Sequence, residues 1–567
     1  MLARVQSYLM QGIDALPCEV EIAVDPTIEN RGPTVVGLPD AAVKESVERV
    51  RSALIASGYL FPRGHVLVNL APADVRKEGP SYDLCVAIGV LMSEGVVRPE
   101  AALAHARKHA AGAQVTFGRR LPQHLAEAPA RSRESEGTVA GDEFADLDEA
   151  IGRAAPAAAI EPLDASAYLF GGELALDGRL RPIRGVIAMA SLAKSLGLRG
   201  VVVPRANAAE AAVVPGVEAI GVSTLTEMVG LLNGQLEASP HGAVDVAGML
   251  HAATAELDFA DVRGQEAVKR AIVVAAAGSH NVLMLGPAGT GKTMMAKALP
   301  GVLPPLSPEE AIEITRIYSS AGALPPGEGL ITRRPVRSPH HTASGAAIVG
   351  GGMIPRPGEV SLAHRGVLFL DELPEFPRMV LETLRQPLED HVVTIARSHS
   401  AVRFPASFML VAAMNPTPKG DVARDEVSRA AQERYLSRLS GPLIDRIDIH
   451  VEAPAVPFKQ LAAAPRGTSS AQMREQVLEA RRRQTARQGA MSPNSRLSGR
   501  RLDELAPMDE ATREFLGRAI TGLGLSARAY DKLRRVARTI ADLAGSDAIR
   551  HEHVSEAVSY RLLDRKT

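Results

Sequence analysis

Asn281 to Thr293, the run Asn-Val-Leu-Met-Leu-Gly-Pro-Ala-Gly-Thr-Gly-Lys-Thr, restricts what this chain can fold into more than any other stretch. A short apolar run ends in a glycine-rich loop, and Met294 to Leu299 then reads as the first turns of a helix that Pro300 stops. Gly286, Gly291, Lys292 and Thr293 satisfy the pattern G-x-x-x-x-G-K-[ST] in full. Glycines let several backbone N–H groups converge on one anion, and a helix start adds partial positive charge. Gly286, Pro287, Ala288, Gly289, Thr290 and Gly291 are therefore expected to cradle phosphates. Lys292 is expected to reach the β- and γ-phosphates of ATP, and Thr293 to ligate Mg²⁺. A glycine-rich turn without a ligand is the alternative.

A chain of 567 residues exceeds one ordinary core, which sets an expectation of about two to four domains. Hydrophobic residues at 46% and charged residues at 23% describe a globular rather than a disordered composition. The formal net charge of -1 excludes a globally basic protein that coats nucleic acid, so any such contact must be local. Cys18 and Cys85 are the only cysteines, which argues against a disulfide framework and a cysteine-based zinc site. The first residues lack a signal-peptide pattern. Ala271 to Gly291 carries no Asp, Glu, Lys or Arg, but its polar residues and glycines mark a helix end and a buried strand, not a membrane span. The expectation is a cytoplasmic protein without membrane contact.

Residues 1–235 mix short strands, at Val20 to Val24 and His65 to Leu70, with helices such as Asp40 to Ala56. A turn at Lys77 to Asp83 leads into an apolar helix from Leu84 to Met92. From about 97 to 165 no steady period emerges, and a poorly ordered insertion is expected. Tyr168 to Leu176, a helix from Val186 to Leu196 and a buried strand from Gly200 to Val203 follow. Residues 236–255 read as a linker, 256–455 as the nucleotide module, 456–495 as a basic helical connection and 496–567 as a helical end. Arg481, Arg482, Arg483 and Arg487 fall on a helix, with a solvated face as the first expectation and nucleic-acid contact as the second.

Within the nucleotide module, Val367 to Leu370 is a short apolar strand that delivers Asp371 and Glu372 at its carboxyl end, a Walker B pattern. Asp371 is expected to hold Mg²⁺, and Glu372 to orient and polarise the attacking water. A second apolar strand, Phe408 to Ala412, ends near Asn415, whose amide is suited to the attacking water or the γ-phosphate; an Asn opening a turn before Pro416 is the equal alternative. Arg446 is a candidate finger that reaches a neighbouring subunit's site, or else a surface partner of Asp445 or Asp448. Arg528, near a helix start, is either a second nucleotide sensor or an ordinary surface arginine.

The order of these features resembles the AAA+ module of magnesium-chelatase I subunits and minichromosome maintenance helicases, with Gln265 in Asp261–Gln265 joining the nucleotide contacts by that resemblance. Arg337 to Thr342, Val349 to Gly352 and Glu382 to Asp390 are similar to the ComM/YifB family of magnesium-chelatase-like competence proteins. The implied fold is a multidomain α/β chain: an S5-like, Lon-protease-like N-terminal domain, an AAA+ P-loop core and a C-terminal helical lid. The implied activity is ATP-driven DNA unwinding and branch migration in homologous recombination during natural transformation. Homo-hexameric rings on single-stranded or branched DNA, with recombination proteins as partners, are implied with it. The interval from Thr293 to Asp371 is long for a bare nucleotide fold, and Gly345 to Pro357 is the candidate helix-2 insert. A hairpin around His391 to Pro405 is the second candidate pore element, with Arg397, His399 and Arg403 as phosphate contacts. His340-His341 lacks a third metal ligand at suitable spacing.

Glu78-Gly79-Pro80-Ser81 aligns with the motif holding the Lon nucleophile, but the position of the catalytic lysine falls on Met189, which cannot act as a base. Lys194 lies more than a helical turn further on, so Ser81 is expected to be structural. Many relatives carry a cysteine cluster after the position of Pro416; Thr417 to Gly420 has none, and zinc is not carried over. The readings that compete with a DNA motor are a chelatase-type motor that remodels a protein partner and, third, an ATP-dependent protease.

Overall fold

The computed structural model describes residues 2–28, 32–97, 160–253, 255–325, 327–352, 355–396, 401–417, 435, 438–457, 467–489, 492–561 and 563. Most of the insertion expected at about 97 to 165 lies outside them, as do Arg397 and His399. Among the described residues no helix is long and apolar enough to cross a membrane.

Strands β1 (Leu2–Gln11) and β2 (Asp14–Asp25) form an antiparallel hairpin, and β3 (Thr34–Val36) and β4 (His65–Ala71) extend it into a sheet of order β1-β2-β4-β3. The turn needs glycine at position 12 because its φ is +69° and because a Cβ there would lie 2.5 Å from Cγ1 of Val402. Helices Ala41–Ala56 and Asp83–Ser93 belong to the same apolar core. The first is capped by Asp40, which accepts the N–H of Val43 at 2.7 Å. Buried Asp83 ties the two helices together through Arg49 at 2.8 Å and accepts the N–H of Leu174 at 3.2 Å.

Next come β5 (Tyr168–Phe170), the small antiparallel pair β6 (Glu173–Leu174) and β7 (Leu180–Arg181), then β8 (Gly200–Pro204) and β9 (Glu218–Val222). β5, β8 and β9 are parallel, and β8, Gly-Val-Val-Val-Pro, is buried at every position, as parallel strands covered on both faces require. The stretch expected as a linker contains a helix, Val246–Ala252. Val244, Val246 and buried Leu250 dock it on a cluster shared with Tyr8, Val186 and Ile314, so its apolar spacing outweighs its loop-like composition.

The nucleotide module holds β10 (Val282–Leu285), β11 (Val336–Arg337), the hairpin of β12 (Gly350–Gly351) with β13 (Arg356–Pro357), β14 (Val367–Leu370), the hairpin of β15 (Val392–Ala396) with β16 (Ala401–Pro405), β17 (Met409–Met414) and β18 (Ile449–Glu452). Five of these strands form one parallel sheet of order β11-β14-β17-β10-β18. Helices Glu266–Gly278 and Lys292–Ala298 share a core with the C-terminal helices Ser470–Gln488, Glu510–Leu523, Ala527–Leu543 and His551–Ser559.

The arginines expected on a solvated face divide. Arg482 is exposed beside Glu479, whereas Arg481 donates to the carbonyl of Ala276 at 3.1 Å and Arg487 pairs with buried Asp542 at 2.7 Å. The helix buries Met473, Val477, Ala480, Gln484 and Gln488, and Arg481 and Arg487 flank that stripe.

Candidate nucleotide site

The carboxyl ends of β10, β14 and β17 bring three polar groups to one place because the strands are parallel neighbours. β10 runs into Gly286, where a Cβ would lie 2.1 Å from the carbonyl oxygen of Ala453, so only glycine fits. Gly289 and Gly291 turn left-handed, with φ of +79° and +84°, and Gly291 opens helix Lys292–Ala298. Thr290 closes the loop on itself by donating to the carbonyl of Pro287 at 3.0 Å. Ala288 and Gly289 are exposed at the loop's crest.

Lys292 Nζ donates to the carbonyls of Gly286 at 2.7 Å and Pro287 at 2.8 Å and to Asn415 Oδ1 at 3.2 Å. Burial pulls its pKa below the ordinary lysine value, and Asp371 opposes that shift. Thr293 Oγ1 donates to Asp371 Oδ2 at 2.7 Å, so the two expected Mg²⁺ ligands converge. Gln265, itself left-handed at φ +61°, donates to the carbonyls of Pro454 at 2.7 Å and Thr290 at 3.4 Å. It thereby pins the loop to the chain leaving β18, while its buried Oε1 has no partner among the described residues.

Glu372 is half exposed and left-handed at φ +52°, a conformation that costs a non-glycine residue about 1–3 kcal/mol. Its Oε2 lies 3.6 Å from Nδ1 of His341. The His341 ring stacks on His340, with centroids 4.1 Å apart, and meets the edge of Phe376. Sequence reasoning took His340-His341 only as a poor metal site and missed this contact. The signal would have been its position just past β11, the parallel neighbour of β14, but a two-residue strand leaves no trace in the sequence.

Arg446 and Arg528 are not brought onto the loop in this chain. Arg446 donates to the carbonyl of Pro442 at 2.6 Å and pairs with Glu389, not with Asp445 or Asp448. Arg528 is exposed and lies 3.5 Å from Asp445. Asp448 is a buried anchor that reaches His280 at 3.4 Å, the N–H of Asn281 at 3.3 Å and Lys532 at 3.7 Å.

The residues present fit a magnesium-bound nucleoside triphosphate. Left-handed glycines open the loop to an anion, Lys292 supplies an ammonium, and a hydroxyl and a carboxylate offer two oxygen donors for a hard cation.

Comparison with known proteins gives the family. The family pattern of magnesium chelatase, subunit ChlI, matches residues 258–461, and that of the ChlI C-terminal region matches 467–561. The pattern of subunit ChlI of Mg-chelatase matches 20–108 and 139–207. Protein YifB of Salmonella typhimurium is 39% identical over 568 residues, covering 100% of this chain and 98% of its own length. Competence protein ComM of Haemophilus influenzae is 39% identical over 579 residues with the same coverage. The magnesium-chelatase 38 kDa subunit of Rhodobacter capsulatus is 26% identical, covering 54% of this chain and 87% of its own. Full-length identity of this order, joined to a magnesium-chelatase-type AAA+ module, means that the chain belongs to the ComM/YifB family.

Proposed function

We propose that this protein is an ATP-hydrolysing motor that translocates on DNA and migrates branches during homologous recombination, as in natural transformation. Bound ATP with Mg²⁺ supplies the phosphoanhydride and the charge neutralisation that hydrolysis needs. Lys292 would exchange its loop carbonyls for phosphate oxygens, Thr293 and Asp371 would hold the cation, and Asn415 and Glu372 would orient the attacking water. Arg446 leaves Glu389 to serve a neighbour's site, which makes a ring, a homo-hexamer in this reading, the working form.

One observation carries the DNA reading. The two hairpins of the nucleotide module abut: a Cβ on Gly350 of β12 would lie 3.2 Å from Cδ1 of Ile395 on β15, and each hairpin carries an exposed arginine, Arg356 and Arg403. The name of the Haemophilus influenzae relative, a competence protein, supports the same setting. A three-stranded branch-migration assay with ATP tests it, with wild type active and Lys292→Ala inactive; no strand exchange by wild type on any branched substrate would remove the proposal.

A motor that remodels a protein partner is the second reading, favoured by the chelatase-subunit patterns over 258–461 and 467–561. ATPase stimulation by forked or single-stranded DNA, weakening with salt, separates the two. A protease is not favoured, because Met189 is fully buried and Lys194 is exposed. The N-terminal domain in this reading is a Lon-like scaffold that binds or assembles.

A further inference from the structure

A cavity of about 290 Å³ lies at the opposite end of the central sheet's strands from the phosphate loop. Its wall includes Gly366 and Met409, at the amino ends of β14 and β17, so it is separated from Asp371 and Asn415 by the length of those strands, about 15 Å. Its other wall comes from the C-terminal helices, through Arg481 and Arg496.

Four guanidinium groups line it, and they are not equivalent. Arg334 is consumed by structure: it donates to the carbonyls of Pro304 at 2.6 Å and Arg365 at 2.6 Å and pairs with Glu310 at 2.8 Å. Arg365 is matched by Glu313 at 3.1 Å. Those two carboxylates are thereby committed. Arg481 spends one nitrogen on Ala276 and Ser279, and its Nε is buried with no partner among the described residues. The Arg496 side chain makes one hydrogen bond among the described residues, to the Ser407 hydroxyl. Neither Arg481 nor Arg496 forms an ion pair among the described residues: Glu310, which also lines the space, and Glu313 act on them only from beyond ion-pair distance and are held by Arg334 and Arg365.

The surroundings register that strain. Burial, and then the nearby Arg334, draw Arg481 down to about 10, and burial with Arg496 and Arg365 draws His391 down to about 4. His391 is consequently neutral at pH 7 and contributes no further positive charge. Burying an uncompensated charge is costly, and a guanidinium fork is relieved best by a planar or tetrahedral oxyanion that accepts several N–H bonds.

We infer that this cavity is a second anion site, distinct from the phosphate loop, which takes a compact, multiply charged phosphate such as pyrophosphate or a terminal phosphate group. Two guanidiniums without an ion-pair partner among the described residues favour a ligand with at least two negative charges, which pyrophosphate and a terminal phosphate carry near neutral pH, whereas a nucleic-acid phosphodiester carries one. Because the site is built from the sheet on one side and the C-terminal helices on the other, its ligand ties the lid to the core.

Calorimetric titration of the full chain with pyrophosphate, in the Lys292→Ala background so that the phosphate loop does not report, tests the assignment. The parent Lys292→Ala chain is expected to bind pyrophosphate, and adding Arg496→Gln to weaken binding at least tenfold with an unchanged circular-dichroism spectrum. Arg481→Gln should do the same, but Arg496, whose side chain holds only Ser407 among the described residues, keeps the test independent of folding. Pyrophosphate should also raise the melting temperature of the parent and not that of the Arg496→Gln chain. No binding by the parent, or equal binding by the Arg496→Gln chain, would overturn the site. Displacement of pyrophosphate by a single-stranded oligonucleotide would overturn its assignment to a compact ligand in favour of a nucleic-acid phosphate.

Discussion

Lys292 holds three acceptors, two of them carbonyls of its own loop, and these are the bonds a phosphate must displace. Removing the ammonium leaves the anion without its main charge partner. Lys292→Ala is therefore expected to lower ATP hydrolysis about 100-fold or more, measured as phosphate release. Glu372→Gln keeps the side-chain shape but not the base, and should bind ATP while hardly turning it over; ordinary hydrolysis by that variant would remove the assignment. Asp448 belongs to stability rather than chemistry. Burial alone would raise its pKa, but the His280 hydrogen bond and the Lys532 and Arg535 charges outweigh burial and hold it well below the usual carboxylate range. A depressed folded pKa contributes stability that is present above the unfolded value of about 3.9 and is lost as pH falls below it. Asp448→Asn should destabilise the chain at pH 7 by about 3 kcal/mol and flatten the acid limb of a urea-denaturation series. Asp371 and Asn415 were legible because each ends a short apolar run. The partner of Arg446 was not, since Glu389 lies 57 residues away while Asp445 and Asp448 sit next to it in sequence.

Among the elements, the parallel strands announce themselves. β14 and β17 are buried along their whole length, so their sequences are continuous apolar runs bounded by polar residues. The hairpin of β15 and β16 was anticipated through the family resemblance rather than from a period of its own. β11 and β12 were not, because two half-buried residues carry no period, and with β11 went the signal that would have set His341 against Glu372. Helix Val246–Ala252 was hidden for a related reason: seven residues with one buried side chain resemble a linker until a surface is supplied for it. Arg403 on β16 is exposed, and its strand pairs with β15 in a fixed register. Arg403→Glu is expected to weaken DNA stimulation of the ATPase and to reduce the slope of affinity against salt by about one charge. An unchanged slope would place the DNA elsewhere.

At the scale of the whole molecule, the nucleotide site of one chain is incomplete in the proposed mechanism, because Arg446 is engaged with Glu389 and does not touch the loop. Mixing Arg446→Ala with Lys292→Ala protein should restore part of the ATPase, since each mixed interface can pair an intact loop with an intact arginine. A strictly additive, inactive mixture at every ratio would confine the chemistry to one subunit. The turn at Gly12 bears on how such a machine transmits force. Its backbone is pressed against Val402, and Tyr8 and Ile13 share a core with Val402 and Phe404. A packed core shifts as a block or cracks; it does not stretch. In the proposed motor, any stroke of β16 would therefore carry the amino-terminal sheet along as a load, shared between this joint and the hydrogen bonds of Ser319 with Gly185 and Glu210.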